Sequence, residues 1–276
     1  MNEIKKRKGI FIIANILVGI LAIILFILAW NTSPEYILFI GIFVFMWVIA
    51  VVILYREWIK FPFKLDVVKP IIESISKGIK YNYSVEYVLG YKSIIKEYNL
   101  IPYAASFDFN DEIKDQIEGI QYCSFDLIAS HQTGTGKSSH TVIDFQGKVY
   151  DIELGKTYCD FILKEDGSKL KAEGFKKIDL ESIEMNEKFD LYTNNLVEIY
   201  KIFTPRLIMR CRDLNFFQNK QSMICHLGTH FYIFLANKEN QFEKLTSKEE
   251  IEQEYYNQLS NLKKYLSIFQ NESHLN

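Results

Sequence analysis

Two stretches decide the architecture: Gly9–Trp30, GIFIIANILVGILAIILFILAW, and Tyr36–Tyr55, YILFIGIFVFMWVIAVVILY. They hold 22 and 20 residues and no charged side chain. At a rise of about 1.5 Å per residue, about 20 residues cross the roughly 30 Å hydrocarbon core of a bilayer. A helix satisfies its own backbone hydrogen bonds, as a chain in lipid must. Both stretches are therefore expected as transmembrane helices, over about 9–30 and 36–55. Trp30, Tyr36 and Tyr55 stand at their ends, where amphipathic rings favour the headgroup zone. A cleaved signal peptide fits the first stretch less well. Its apolar core exceeds the usual roughly 7–15 residues, no small-x-small site follows, and a second apolar stretch does. A buried hairpin in a globular core would need a much larger domain around it.

The flanks give an orientation. Lys5, Lys6, Arg7 and Lys8 precede the first stretch; Arg56, Lys60 and Lys64 follow the second. The connection Asn31–Glu35 has no Lys or Arg, and Pro34 breaks the helix there. Positive flanks stay on the cytoplasmic side. A hairpin in a cell membrane is expected, with both chain ends cytoplasmic and a short turn outside. Anionic lipids account for the basic flanks at about 1 kcal/mol per residue.

Working outward, the whole chain has 276 residues, is 49% hydrophobic and carries a net charge of −2. That composition excludes a disordered chain. Thirteen Gly and five Pro exclude a collagen-like chain, and four Cys exclude a small disulfide scaffold. Residues 1–64 carry seven Lys/Arg against three Asp/Glu, a net +4, so the remaining 212 residues carry −6. An acidic domain is repelled by phosphate backbones, which argues against a nucleic-acid partner. It is also held off an anionic leaflet.

Beyond the anchor, residues 65–106 read as a juxtamembrane helical spacer, with helices at about Asp66–Lys77 and Val85–Tyr98 and a break at Tyr81–Ser84. From Phe107 to the end the texture is that of an α+β domain. Strands are expected at Ser124–Ser130, His140–Phe145, Lys148–Leu154, Tyr158–Leu163, Lys176–Ser182 and Glu187–Thr193. A helix follows over Asn195–Phe203, and Thr204-Pro205 opens another as N-cap and first helical residue. MICHL and HFYIFLA form a hairpin around Gly228. A final amphipathic helix runs from about Ser247 to Phe269, with Ser247 and Glu250 as a capping box. Strands grouped together and helices at the ends indicate a mainly antiparallel sheet with flanking helices.

Several strings invite a chemical reading. His131–Ser139, HQTGTGKSS, resembles a phosphate-binding loop through Gly136, Lys137 and Ser138, with Gly134 nearby. His131 stands where the first glycine of that motif belongs, and a strand pattern follows where a helix is required. A turn between strands explains it better. Cys225, His226 and His230 are the densest set of metal-type ligands, but they flank a hairpin turn, and Cys123, Cys159 and Cys211 have no CxxC partner. Glu181, Glu184, Glu187, Asp190 and Glu198 read as a solvated acidic face. Phe189, Tyr192, Tyr200 and Phe203 read as core or as a partner surface. Asn15, the polar residue in mid-span, is expected to bond across the helix pair, and Gly19 and Gly41 to help it pack. Metal, cofactor and catalytic residues are expected to be none.

The order of FDLIAS (Phe125–Ser130), VIDFQGKVYDIELGK (Val142–Lys156), KKIDLES (Lys176–Ser182) and EKFDLYTNNLVEIYKIFTPRLIMRCRDL (Glu187–Leu214) resembles the bacterial membrane-protein family called domain of unknown function 3137. The resemblance rests on a Phe-x-Gly segment, an acidic-Phe-x-Leu-Tyr segment and a Phe-Thr-Pro helix start. Phe145, Gly147, Phe189, Tyr192, Thr204 and Pro205 stand at those positions and are expected to be structural. The resemblance implies this topology and no catalytic residue. The functional expectation is a bilayer-anchored, cytoplasmic binding or accessory module with a protein partner at the inner membrane face. The alternatives are a tethered enzyme acting on a nucleotide or phosphate compound, and an accessory subunit of a transporter.

Overall fold

A computed structural model describes residues 2–30, 34–154, 159–165, 174–212, 222–237, 242 and 247–270. Residues 31–33 of the turn expected at Asn31–Glu35, the strand start at Tyr158, and Lys156 and Leu214 of the resemblance lie outside these residues, whereas Pro34 and Glu35 open a helix. The chain divides into two compact units, Met1–Ile71 and Ile72–Asn276.

In the first unit, α1 runs Asn2–Trp30 and α2 Pro34–Tyr55. Both are long and apolar enough to cross a membrane. Their side chains face outward: 6% of the first apolar window and none of the second is buried. Asn15 does not bond across the pair; its Nδ2 donates to Phe11 O of its own helix at 2.7 Å. One turn of backbone satisfies it without a partner helix. A Cβ on Gly19 would meet the Trp47 ring at 3.9 Å, whereas Gly41 has open space.

The helix does not end at Tyr55. Wide π-turns at Arg56–Lys60 and Lys64–Val68 alternate with α3 (Phe61–Phe63) and α4 (Lys69–Ile75). The cause is in the sequence. Pro62 and Pro70 each lack an N–H and crowd the carbonyl four residues back, and widening the helix before each proline relieves both problems.

In the second unit, β1 (Lys80–Ser84), α5 (Val88–Glu97), β2 (Ser106–Ile117), β3 (Ile120–Thr133), β4 (His140–Glu153) and β5 (Phe161–Glu165) come first. Then follow β6 (Lys176–Ile178), α6 (Ile183–Lys188), β7 (Phe189–Thr193), α7 (Leu196–Ile202), α8 (Pro205–Arg212), β8 (Met223–Leu227), β9 (His230–Ala236) and α9 (Lys248–Gln270). The described strands form one antiparallel sheet, ordered β1-β2-β3-β4-β9-β8-β5-β7-β6. The α+β class with a mainly antiparallel sheet is thus observed.

Two strands were not foreseen, and one was split. β1 occupies the expected break at Tyr81–Ser84 and pairs with β2, so residues 80–84 belong to the sheet rather than to a spacer. β4 runs unbroken through Gln146-Gly147, where a turn had been read. Gly147 is there for proximity: a Cβ on it would lie 2.0 Å from Leu235 O and 2.9 Å from Ala236 Cα. The backbone of β9 occupies the space of a side chain.

Alternation sorts the strands' side chains onto two faces. One face packs Tyr150, Phe161, Leu191 and Phe231 against Ile199, Leu207, Leu262 and Phe269 of α7–α9. The other packs Phe125, Val149, Ile162 and Phe234 around Tyr91 and Ile95 of α5. The helix ends match their sequence signals. Ser247 N donates to Glu250 at 3.0 Å and Glu250 N to Ser247 Oγ at 3.2 Å, a reciprocal capping box. Leu207 N donates to Thr204 Oγ1 at 3.3 Å, with Pro205 at the first position of α8.

Two substitutions test this packing. Gly147→Ala must push β4 and β9 apart and should destabilise the sheet unit by about 1–3 kcal/mol. Thermal unfolding of the purified chain should show the corresponding fall in Tm; an unchanged Tm would contradict the close approach. Lys148 Nζ lies 3.0 Å from Asp126 Oδ1, and both side chains are buried. Lys148→Met strands a buried carboxylate and should cost about 3–5 kcal/mol. Asp126→Leu combined with Lys148→Met should recover most of that loss in urea titrations.

Candidate functional site

Register brings a row of polar side chains together on the α5 face. Cys123 of β3 pairs directly with Asp151 of β4, Asp151 with Tyr232 of β9, and Tyr232 with Cys225 of β8. α5 lays Tyr91 over this row. The Tyr91 hydroxyl donates to Asp151 Oδ2 at 3.0 Å, and His230 Nδ1 lies 2.7 Å from Asp151 Oδ1. Cys123 Sγ sits 3.6 Å from Glu112 Oε1 of β2. Glu112 is buried, and accepts from Asn82 Nδ2 at 3.3 Å and from the Glu86 amide at 3.3 Å. A carboxylate shared by a tyrosine and a histidine can hold the imidazole in one orientation. It does not activate the nearby thiols. Burial pushes Cys123 up to about 12 and raises Cys225 and Cys159 as well, so these thiols stay protonated.

The same face carries a second titratable group further along. Burial pulls the Lys164 amine down to about 8, against the opposing pull of Asp190 directly across from it on β7. Asp190 is itself paired with Lys177 of the edge strand β6.

A groove lies at the β6 end of the sheet. Asp179, Leu180 and Glu181 follow β6; Tyr200 and Phe203 come from α7 and its end, and Pro205 and Ile208 from α8. Its volume is about 480 Å³. The Tyr200 hydroxyl reaches Asp179 O at 3.5 Å and ties the two walls together.

The residues singled out from sequence fall as follows. Gly134, Gly136, Lys137 and Ser138 form the β3–β4 connection, with a short 3-10 turn at Gly136–Ser138 leading straight into β4. The amides of Ser138 and Ser139 are spent on Thr135 O and Gly136 O at 3.2 and 3.3 Å. His131, at the position of the motif's first glycine, is bound to Asp144 at 2.8 Å. Phosphate-loop geometry, with free amides opening a helix, is not formed there; the Lys137 side chain lies outside the described atoms. His226 turns to the face opposite Cys225, stacks on Phe161 and sits 3.1 Å from Cys159 O. Among the described residues no group of three His, Cys, Asp or Glu side chains converges to hold a metal. None of the four cysteines is in a disulfide.

The acidic stretch is divided. Glu184 pairs with Lys188 at 3.0 Å and Glu198 with Lys201 at 2.7 Å, Asp190 is buried, and Glu181 rims the groove. The aromatics divide too. Phe189 and Phe203 are core, Tyr192 is half-buried, and Tyr200 is 50% exposed. Phe145 stacks edge-on against Phe234 at 5.8 Å. Asp151, Tyr91 and the groove were missed from sequence. Only the β4–β9 register shows that Asp151 and His230 meet, and no local pattern announces it.

A family model described as "Protein of unknown function (DUF3137)" matches residues 131–270. The chain belongs to that family. The matched stretch contains the groove, His230 and Asp151, and all of β4 to β9 together with the end of β3; α1, α2, β1 and β2 precede it. No curated protein and no solved structure matches the chain.

The Asp151–His230 pair makes a pH prediction. The hydrogen bond that the imidazole donates to Asp151, opposed by partial burial, raises His230 above its ordinary 6.5. A raised folded value means stabilisation present in full below about pH 6.5 and lost as pH climbs through the higher folded value. His230→Gln should therefore lower Tm more at pH 5.5 than at pH 8.5. Equal losses at both pH values would contradict the pairing.

Proposed function

We propose that the chain is a membrane-anchored, non-catalytic binding or accessory module. α1 and α2 cross the bilayer as a hairpin with both chain ends cytoplasmic. The sheet unit serves a protein partner at the inner face. The observation carrying this reading is the outward-facing apolar surface of α1 and α2. Ile13, Leu17, Ile23, Phe39, Phe45 and Val52 are each at least 60% exposed, and Ala22 is the buried residue among the described apolar side chains of the pair. Isolated exposed apolar residues are ordinary; a continuous apolar surface is a membrane or partner surface. The absence of charge inside both stretches and the basic flanks at Lys6–Lys8 and Lys60–Lys64 support lipid and a cytoplasmic orientation.

The acidic sheet unit supports a module that works near the membrane rather than adsorbed on it. A binding role is supported by the open groove at the β6 edge, which sets apolar side chains beside two carboxylates. The protonated thiols and the closed β3–β4 turn offer no assembled nucleophile for group transfer.

The anchor is tested by alkaline carbonate extraction and by Ser33→Cys labelling of intact cells with an impermeant maleimide. The chain should stay in the pellet, and Cys at position 33 should react from outside. Release into the supernatant would overturn the anchor, and labelling only from the cytoplasmic side would overturn the topology.

A further inference from the structure

The groove at the β6 edge combines three features that ordinary surface does not. About half of its exposed lining is apolar, contributed by Leu180, Phe203, Pro205 and Ile208 beside Tyr200. Its charged lining groups are both acidic, Asp179 and Glu181. Both are exposed, and among the described residues neither carboxylate has an ion pair or side-chain hydrogen bond, whereas neighbouring Glu184 and Glu198 are matched by Lys188 and Lys201. The apolar surface also continues past the groove. Val197 lies one turn from Tyr200 on α7 and is 70% exposed; Met209 lies one turn from Pro205 on α8 and is 59% exposed. Ile183, just after Glu181, is 76% exposed.

The geometry points to this groove as the docking site for a segment of a partner protein that presents bulky apolar side chains flanked by Lys or Arg. The inference rests on the binding-module reading and names its site and the partner's chemistry. Two carboxylates beside apolar side chains gain most from cations placed at the groove's rim, because complementary charge fixes register and excludes acidic competitors. Anionic lipid and nucleic acid are both repelled by the same pair. Exposed apolar steps on both helices extend the contact to peptide length and exceed what a small ligand covers.

The test uses the full chain in phosphatidylcholine nanodiscs, with fluorescence anisotropy as the readout. The probes are a fluorescein-labelled peptide with Leu and Phe anchors flanked by lysines, its twin flanked by glutamates, and empty discs as the lipid blank. The lysine-flanked peptide should bind saturably above the blank and about tenfold tighter than its twin, a difference of about 1.4 kcal/mol. Asp179→Lys with Glu181→Lys should reverse that preference, a result that misfolding cannot mimic. Tyr200→Ala should weaken both probes. Binding no stronger than to empty discs, equal affinity for the twins, or a preference unmoved by the charge reversal would overturn the assignment. Those failures leave carbonate extraction and residue-33 labelling untouched, so the groove falls without the anchored-module reading. Release of the chain from membranes removes that reading whatever the peptides do.

Discussion

The sheet depends on one seam. β1 to β4 form a meander, and β9, β8, β5, β7 and β6 form the other half; the two halves meet through β4 and β9. Their pairing runs from Gly147 opposite Ala236 to Glu153 opposite His230. At one end of it the backbones approach so closely that only glycine fits. At the other, Asp151 holds His230 across the strands. A strand that slips by one residue sends every side chain to the wrong face. Here a slip would also drive a Cβ into Leu235 O and break the Asp151 pair. Sterics at one end and charge at the other thus fix the same register.

β4 enforces register on its other edge by the same means. Lys148 faces the helix-rich side and meets Asp126 of β3, whose pairing with β4 is displaced by a bulge after Ala129. A second bulge, in β2 between Asn110 and Ile113, places two successive carboxylates in the interior. Asp111 takes a left-handed backbone and accepts from the Tyr81 hydroxyl, and Glu112 is held by Asn82 and the Glu86 amide. Buried charge is tolerable only when paired or hydrogen-bonded. Tyr81, Asn82 and Glu86 come from β1 and the turn after it, so the edge strand helps to hold acid inside the sheet.

That explains what could be read from sequence and what could not. Elements whose burial is apolar announced themselves: the 223–227 and 230–236 hairpin with Gly228 at φ +64°, the Thr204-Pro205 cap and the Ser247–Glu250 box. β2, SFDFNDEIKDQI, did not, because Asp111, Glu112 and Asp115 look solvated and are in fact hydrogen-bonded. Asp115, for example, accepts from Tyr255 of a helix 140 residues away. Gly147 read as a turn because glycine in a string signals a bend as readily as a close approach. The groove was invisible for the same reason as the Asp151–His230 pair: both are made where segments distant in sequence converge.

The seam also bears on where the family likeness stops. The matched stretch begins at His131, eleven residues into β3. Cut there, the chain would lose Phe125 and Leu127 from the α5-side core, together with Tyr91, Phe109 and the Asp126 partner of Lys148. The matched stretch therefore carries the groove and the seam without the strands that complete its core. The compact unit is 72–276, in which the preceding meander pairs Lys148 with Asp126 and fills the apolar face that the matched stretch leaves open. The supporting strands and the seam place different demands on the sequence. Support needs only volume, register and a buried counter-charge, which many sequences supply, whereas a close approach such as that at Gly147 admits one residue.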